Sequence, residues 1–153
     1  FFQTERGYHG RLYCGLQNAL DKFGILNDQV IIEMKYQKSD RHGTHQRPDI
    51  VLHTPAELHD SPVDVGNLAV FALKHQATQS GAQTDFRKLD TMFEQLHYPL
   101  GIFINVNSSS HYLNVYDGPY RDRLHSFGVQ LDDCEVTVTH ASWVNDNVVE
   151  NIG

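Results

Sequence analysis

The sequence has few cysteines, no long apolar run and no excess of basic residues. Its only cysteines, Cys14 and Cys134, lie far apart, which argues against a disulfide framework and favours a reducing compartment, so a cytoplasmic location is expected. No apolar run approaches the roughly 18 residues that a membrane span requires, so no membrane partner is expected. The formal net charge of −7 argues against a protein that simply coats nucleic acid. It does not exclude an enzyme that acts on nucleic acid, because metal-binding carboxylates count as negative charge.

Chain length bounds the number of domains. The 153 residues are enough for one domain with a proper core and too few for two ordinary ones. We therefore expect residues 1–153 to form a single domain. The first residue is Phe1 rather than methionine, so we expect a piece excised from a longer chain.

The spacing of apolar residues predicts an α/β fold. Apolar residues recur at intervals of three and four over residues 4–23 and 82–96, which predicts two amphipathic helices, the first ended by Gly24. A third helix is predicted over residues 120–127, because Asp117-Gly118-Pro119 is a good helix opening. Alternation or continuous apolar runs predict strands over residues 30–37, 48–53, 68–75, 98–106 and 135–139.

The connections between these elements predict a mixed central β-sheet flanked by helices, in the order α-β-β-β-α-β-α-β. The polar stretch 39–46 reads as a hairpin loop, so the first two strands are expected to be antiparallel. The crossover through the second helix is expected to join two parallel strands. Residues 108–116 have no clear period, and the strand at 135–139 is expected to be an edge strand before a frayed tail.

Two short strands carry the residues that point to chemistry. Residues 47–52 read Arg-Pro-Asp-Ile-Val-Leu and place Asp49 at the start of a strand, while residues 67–75 place Lys74 near the end of another. Residues two apart on a strand point to the same side, so positions 72 and 74 project into one site. If the two strands are neighbours, Asp49 lies beside position 72, and carboxylate oxygens there suit a hard divalent cation.

In this order the two motifs resemble the core of the PD-(D/E)xK nuclease superfamily, in which a Pro-Asp strand start precedes a strand carrying acid-x-Lys. The likeness covers residues 4–106. It implies a restriction-endonuclease-like fold and a metal-dependent nuclease, with DNA as the expected partner and Mg²⁺ or Mn²⁺ as the cofactor. By this resemblance Asp49 binds the metal, the backbone carbonyl of Leu73 contributes a ligand, and Lys74 orients water or meets the phosphate.

The sequence departs from the family pattern at Ala72, where the family has glutamate or aspartate. The chain is either a natural pseudonuclease or an enzyme whose acid has been replaced by alanine to silence cleavage. The second explanation is favoured, because the surrounding positions keep the active layout and alanine is a poor strand former. In both cases we expect a catalytically crippled protein, since the site keeps its lysine and lacks a carboxylate.

Five further residues are candidates for the same site. The resemblance makes Glu5 on the first helix a metal ligand, although an acid in a first turn also favours the helix dipole. Glu33 either supports the site or is an exposed cross-strand partner. Gln76, two residues beyond the site lysine, is expected to face the site and join its catalytic residues. Arg87 and Lys88 could bind the nucleic-acid backbone, with a solvated helix face as the alternative.

Other functions stay open at this stage. A Pro-Asp pair is often just a turn end and a strand-end lysine is usually solvated, although the order of the two motifs favours a site. The chain could be a non-catalytic binding module on the same fold, a toxin nuclease domain neutralised by a protein partner, or a homodimer. Structural zinc is not expected, because the close histidines His42 and His45 lack the spacing of a zinc site.

Overall fold

The computed structural model describes residues 5–26, 30–34, 47–55, 66–132 and 135–153. Two α-helices and seven strands lie in these ranges. In chain order they are α1 (Glu5–Lys22), β1 (Ile31–Met34), β2 (Ile50–His53), β3 (Asn67–His75), α2 (Gln79–Leu96), β4 (Gly101–Val106), β5 (Leu124–Asp132), β6 (Glu135–Val144) and β7 (Asn147–Ile152). In the described part of the chain, neither helix is both long and apolar enough to cross a membrane.

The seven strands form one mixed sheet whose spatial order follows the chain from β1 to β7. The β1–β2 and β2–β3 pairs are antiparallel, the β3–β4 and β4–β5 pairs are parallel, and the last two pairs are antiparallel. Because α2 connects β3 to β4, these three elements form a parallel crossover. The predictions of an α/β class, a mixed sheet and this crossover are confirmed.

The two helices cover opposite faces of the sheet. In β3, Val70 and Ala72 belong to a core that includes the apolar face of α2. The alternate residues Phe71 and Leu73 belong to a second core, which includes leucines of α1. Neighbouring side chains on a strand point to opposite faces, so β3 is buried on both sides and holds its residues rigidly.

Both amphipathic helices that the sequence predicts are present. α1 ends before Gly24, whose φ of 68° is the left-handed conformation that glycine adopts readily. α2 begins three residues earlier than predicted, because Thr78 caps it and its Oγ1 accepts a hydrogen bond from the Gly81 N–H at 3.2 Å. The predicted hairpin loop at 39–46, with His42 and His45, lies outside the described residues, as does Cys134; Cys14 is exposed.

The third predicted helix is wrong, because residues 121–123 form a turn and residues 124–127 belong to β5. The chain turns at 121–123 and enters the strand at Leu124, where buried Leu124, Ser126 and Gly128 alternate with half-buried His125 and Phe127. β5 pairs with β4 on one side and with β6 on the other. Hydrogen bonding on both sides outweighs the local helix-opening signal, which carries no information about strand partners.

The prediction of an edge strand followed by a frayed tail is also wrong. β6 extends to Val144 and lies inside the sheet, and the residues after it return as β7, the last strand of the described sheet. Asn145 and Asp146 form the turn between them with φ values of 49° and 61°. Two successive residues with positive φ give the hairpin geometry that asparagine and aspartate tolerate well.

A histidine pair between β5 and β6 predicts how stability depends on pH. His125 Nδ1 lies 2.9 Å from His140 Nε2, and burial, followed by the charge of His140, lowers the pKa of His125 below its ordinary value of 6.5. The unfolded chain therefore binds more protons between the two pKa values, so the melting temperature should fall as the pH drops through and below 6.5. Thermal melts of His125→Gln should fall less over the same range. An equal slope in the variant would contradict this assignment.

Candidate active site

Asp49 and Lys74 belong to neighbouring segments of the sheet, as the sequence-based hypothesis requires. Asp49 directly precedes β2, Lys74 belongs to β3, and Ile50 pairs with Phe71. The Asp49 N–H donates a hydrogen bond to the Phe71 carbonyl at 3.2 Å. Its carboxylate Oδ2 accepts one from the Leu73 N–H at 2.9 Å. The backbone of β3 thus fixes the Asp49 carboxylate beside the strand positions that the motif concerns.

A pocket of about 90 Å³ opens where β2 and β3 meet α2. A single water molecule needs only about 10–15 Å³ of such space, so the pocket can hold a small hydrated ion. Its charged lining residues are Arg47, Asp49, Lys74, Asp85 and Lys88. Among the residues that the structure describes, three cations and two carboxylates give the pocket wall a net positive charge, in a chain whose overall charge is −7. Such a site can receive a phosphate and also offers oxygen ligands to a cation.

Ala72 forms part of the pocket wall, next to Lys74 along the same face of β3. It is 9% exposed and packs in the core under α2. The side chain ends at Cβ, so position 72 places no oxygen in the pocket. Position 72, where the sequence departs from the PD-(D/E)xK pattern that it resembles, therefore lies in the wall of the candidate site.

The pocket contains a second carboxylate, Asp85, that the sequence analysis missed. Asp85 is 3% exposed, and its Oδ1 accepts a hydrogen bond from Lys88 Nζ at 2.6 Å. Its Oδ2 lies 3.6 Å from Lys74 Nζ and accepts no hydrogen bond from the residues that the structure describes. A buried carboxylate oxygen without a hydrogen bond costs free energy, so this oxygen has capacity for another partner.

The sequence contained a signal for Asp85, because the residue falls within the apolar stripe of α2. The buried stripe includes Ala82, Phe86 and Leu89, and Asp85 is three residues after the first and four before the last. Positions three and four apart share one face of a helix. An acid on the buried face of an amphipathic helix is costly unless it is paired, which marks it as a candidate site residue.

Helix α1 reaches the site through His9. The His9 side chain is buried, with 1% of the residue exposed, and its Nδ1 lies 3.6 Å from Asp49 Oδ1. From this helix, the resemblance to the nuclease superfamily implies Glu5 as a metal ligand. α1 begins at Glu5, whose side chain lies outside the described residues, so its role as a metal ligand stays a prediction. His9 follows Glu5 by four residues and therefore shares its helix face.

Two of the other predicted residues do not line the pocket. Glu33 Oε2 lies 2.7 Å from His53 Nε2. Glu33 pairs with Val51, and His53 is the last residue of β2, whereas Asp49 precedes its first. Glu33 is therefore a cross-strand partner of His53 at the end of β2 that is farther from Asp49. Gln76 follows the end of β3 with a φ of 50°, is exposed and is not in the pocket wall. The alternation of side chains that predicts Gln76 to face the site ends with β3 at His75.

The remaining candidates divide between the pocket and the solvent. Lys88 lines the pocket, whereas Arg87 is exposed and does not. Leu73 contacts Asp49 through its N–H, and the participation of its carbonyl in metal binding stays a prediction. The side chains of Lys74 and Lys88 are 34% and 48% exposed, so both lysines can bind a ligand that enters the pocket from solvent.

The donor atoms of the pocket fit Mg²⁺ or Mn²⁺ better than zinc. The described residues contain no group of three or more His, Cys, Asp or Glu side chains that could hold a metal ion. The pocket offers the carboxylates of Asp49 and Asp85, one of them with an oxygen that lacks a hydrogen bond. Mg²⁺ is commonly bound by one or two carboxylates and keeps several waters, while a structural zinc needs four protein ligands.

Comparison with known proteins adds no family to this description. No family model, curated protein or solved structure matches the chain. A function for this chain is therefore inferred from the geometry and chemistry of the pocket.

Proposed function

We propose that this pocket is the active site of a metal-dependent nuclease that hydrolyses phosphodiester bonds, with DNA as its substrate. The observation that carries the proposal is the meeting of Asp49 and Lys74, from neighbouring segments of the sheet, in one pocket whose wall includes position 72. The order α1-β1-β2-β3-α2-β4 agrees with a restriction-endonuclease-like core, and the parallel β3–β4 pair supports it further.

The residues of the pocket match the roles that phosphodiester hydrolysis requires. A bound divalent cation would polarise the phosphate and lower the pKa of a water molecule. Asp49, held by the Leu73 N–H, is preorganised to bind that cation. Lys74 is placed to stabilise the charge that develops on the phosphate in the transition state. Arg47 and Lys88 are placed at the same pocket to attract the nucleic-acid backbone.

Ala72 favours a second candidate, a non-catalytic module that binds nucleic acid on the same fold. Without a carboxylate at position 72, the pocket has lost one of the oxygen ligands expected in the family. A cleavage assay separates the candidates: Ala72→Glu is offered plasmid DNA, single-stranded DNA and RNA, with Mg²⁺, Mn²⁺ or a chelator. Metal-dependent cleavage supports the nuclease and its preferred substrate. Intact substrates under both metals would establish the binding module instead.

Neighbouring basic residues of α2 provide a matched test of nucleic-acid binding. Lys88→Ala is expected to weaken DNA binding and to lower the slope of log affinity against log salt by about 1, because one phosphate contact is lost. Arg87→Ala removes the same charge one residue away, outside the pocket wall, and should leave that slope nearly unchanged. Fluorescence anisotropy over a range of salt concentrations measures both. Equal effects would assign binding to the general charge of the helix.

A further inference from the structure

We propose that Asp85 supplies the second carboxylate of the cation site, from α2, in the place that Ala72 leaves vacant on β3. This inference rests on the proposed function of the pocket. It bears on the unaltered chain, because a site with the carboxylates of Asp49 and Asp85 can bind a cation without a carboxylate at position 72. Ala72→Glu would then add a third carboxylate to a cation site that already exists.

The burial of Asp85 is the first observation that supports this assignment. Carboxylates are almost never fully buried unless they are paired, and Asp85 is 3% exposed. Lys88 satisfies Oδ1 at 2.6 Å, but Oδ2 accepts no hydrogen bond within the described residues and has only the Lys74 ammonium at 3.6 Å. A hard cation in the pocket would satisfy this second oxygen.

The position of Asp85 is the second observation. Asp85 of α2 and Asp49, just before β2, line the same pocket together with Ala72 and Lys74 of β3. The buried neighbour Phe86, with 2% exposure, fixes this turn of α2 in the core. A ligand on a rigid helix is held as precisely as one on a strand, so the carboxylate can enter the pocket from α2.

Asp85 could instead serve only to hold the two lysines in place. The lysine side chains are 34% and 48% exposed, so water can solvate them and neither requires a buried carboxylate. The two roles predict different behaviour towards a metal ion in the absence of any substrate. A residue that only positions lysines changes the affinity for a cation through its charge alone, whereas a ligand also contributes an oxygen to the ion.

The experiment is a titration with Mn²⁺ alone, followed by calorimetry, on the unaltered protein and on Asp85→Asn. We expect the substitution to weaken Mn²⁺ binding by roughly 10- to 100-fold, the loss typical of removing even a supporting group of a metal site. Glu94→Gln, an exposed change of the same charge on the same helix, should leave the affinity unchanged. Equal affinity in the unaltered protein and Asp85→Asn would overturn the inference.

A second comparison covers the case in which Asp85→Asn fails to fold. The double variant Ala72→Glu with Asp85→Asn keeps a carboxylate for the lysines, so thermal melts should show a folded protein. It should bind Mn²⁺ more weakly than Ala72→Glu alone, because it has one carboxylate fewer. Equal Mn²⁺ affinity of these two variants would also overturn the inference.

The outcomes distinguish failure of this inference from failure of the proposed function. If Ala72→Glu binds Mn²⁺ and cleaves nucleic acid while Asp85→Asn binds Mn²⁺ as the unaltered protein does, only the role of Asp85 is wrong. If no protein in the series binds Mn²⁺, Ala72→Glu included, the nuclease proposal fails together with the inference.

Discussion

Ala72→Glu is expected to create or restore divalent-metal-dependent cleavage of nucleic acid. Glutamate at position 72 would point to the same side of β3 as Lys74 and would add an anionic oxygen ligand beside Asp49. More negative charge in the pocket holds Mg²⁺ more firmly, and a firmly held ion is what phosphodiester hydrolysis requires. Conversion of supercoiled plasmid to nicked and linear forms measures the effect, with RNA and single-stranded DNA assayed in parallel.

The fold should tolerate this substitution. Ala72 is only 9% exposed, but it borders a pocket of about 90 Å³ that gives the longer side chain room. Burying a carboxylate is costly unless it is paired, and Lys74, Lys88 and Arg47 line the same pocket. A thermal melt close to that of the unaltered protein, together with cleavage that a chelator abolishes, is the expected result. A folded variant that leaves every substrate intact would favour the binding module.

Lys74→Ala, introduced together with Ala72→Glu, is expected to reduce the cleavage rate by about 100- to 1,000-fold. This is the loss seen when one donor that stabilises transition-state charge is removed, and Lys74 is the pocket lysine on the same strand face as position 72. Lys74 Nζ also lies 3.6 Å from Oδ2 of the buried Asp85, so a thermal melt of the double variant is needed to show that the lost rate is not a lost fold. Single-turnover cleavage, with enzyme in excess, measures the chemical step without product release.

A lysine outside the pocket provides the control for this loss. Lys22 lies in the last turn of α1 and is exposed, so Lys22→Ala with Ala72→Glu removes the same charge far from the pocket lining. The control should cleave within about twofold of Ala72→Glu, since a distant charge is screened within a Debye length of about 8 Å at physiological salt. A similar loss in both double variants would show that Lys74 acts only through net charge.

Local sequence signals were sufficient for the first two-thirds of the fold. The intervals of three and four along α1 and α2, and the apolar runs of β3 and β4, report burial that is fixed by elements close in sequence. In the last third of the chain, the structure is determined by which strands pair with each other. β5 was mistaken for a helix because its buried positions include Ser126 and Gly128, which carry no hydrophobic signal.

The residues of the candidate site also differ in how far the sequence indicates their positions. Asp49 and Lys74 could be placed together only on the condition that their strands are neighbours, and the pairing of Ile50 with Phe71 fulfils that condition. The period of a strand then puts positions 72 and 74 on one side. His9 of α1 contacts Asp49, and Asp85 of α2 lines the pocket. Their approach depends on how each helix crosses the sheet, which no spacing along the chain determines. Gln76 lies outside the pocket wall for a related reason: β3 ends at His75, so the alternation of the strand does not continue to Gln76.

The central claim, a divalent cation bound through Asp49, is tested most directly by titrating Mn²⁺ into the unaltered protein and into Asp49→Ala. We expect measurable, weak binding by the unaltered protein and none by the variant, because Asp49 is the carboxylate that the backbone of β3 holds in place at the pocket. Binding lost in Asp49→Ala would place the ion in this pocket. Identical titrations of the two proteins, whether both bind or neither does, would contradict the account.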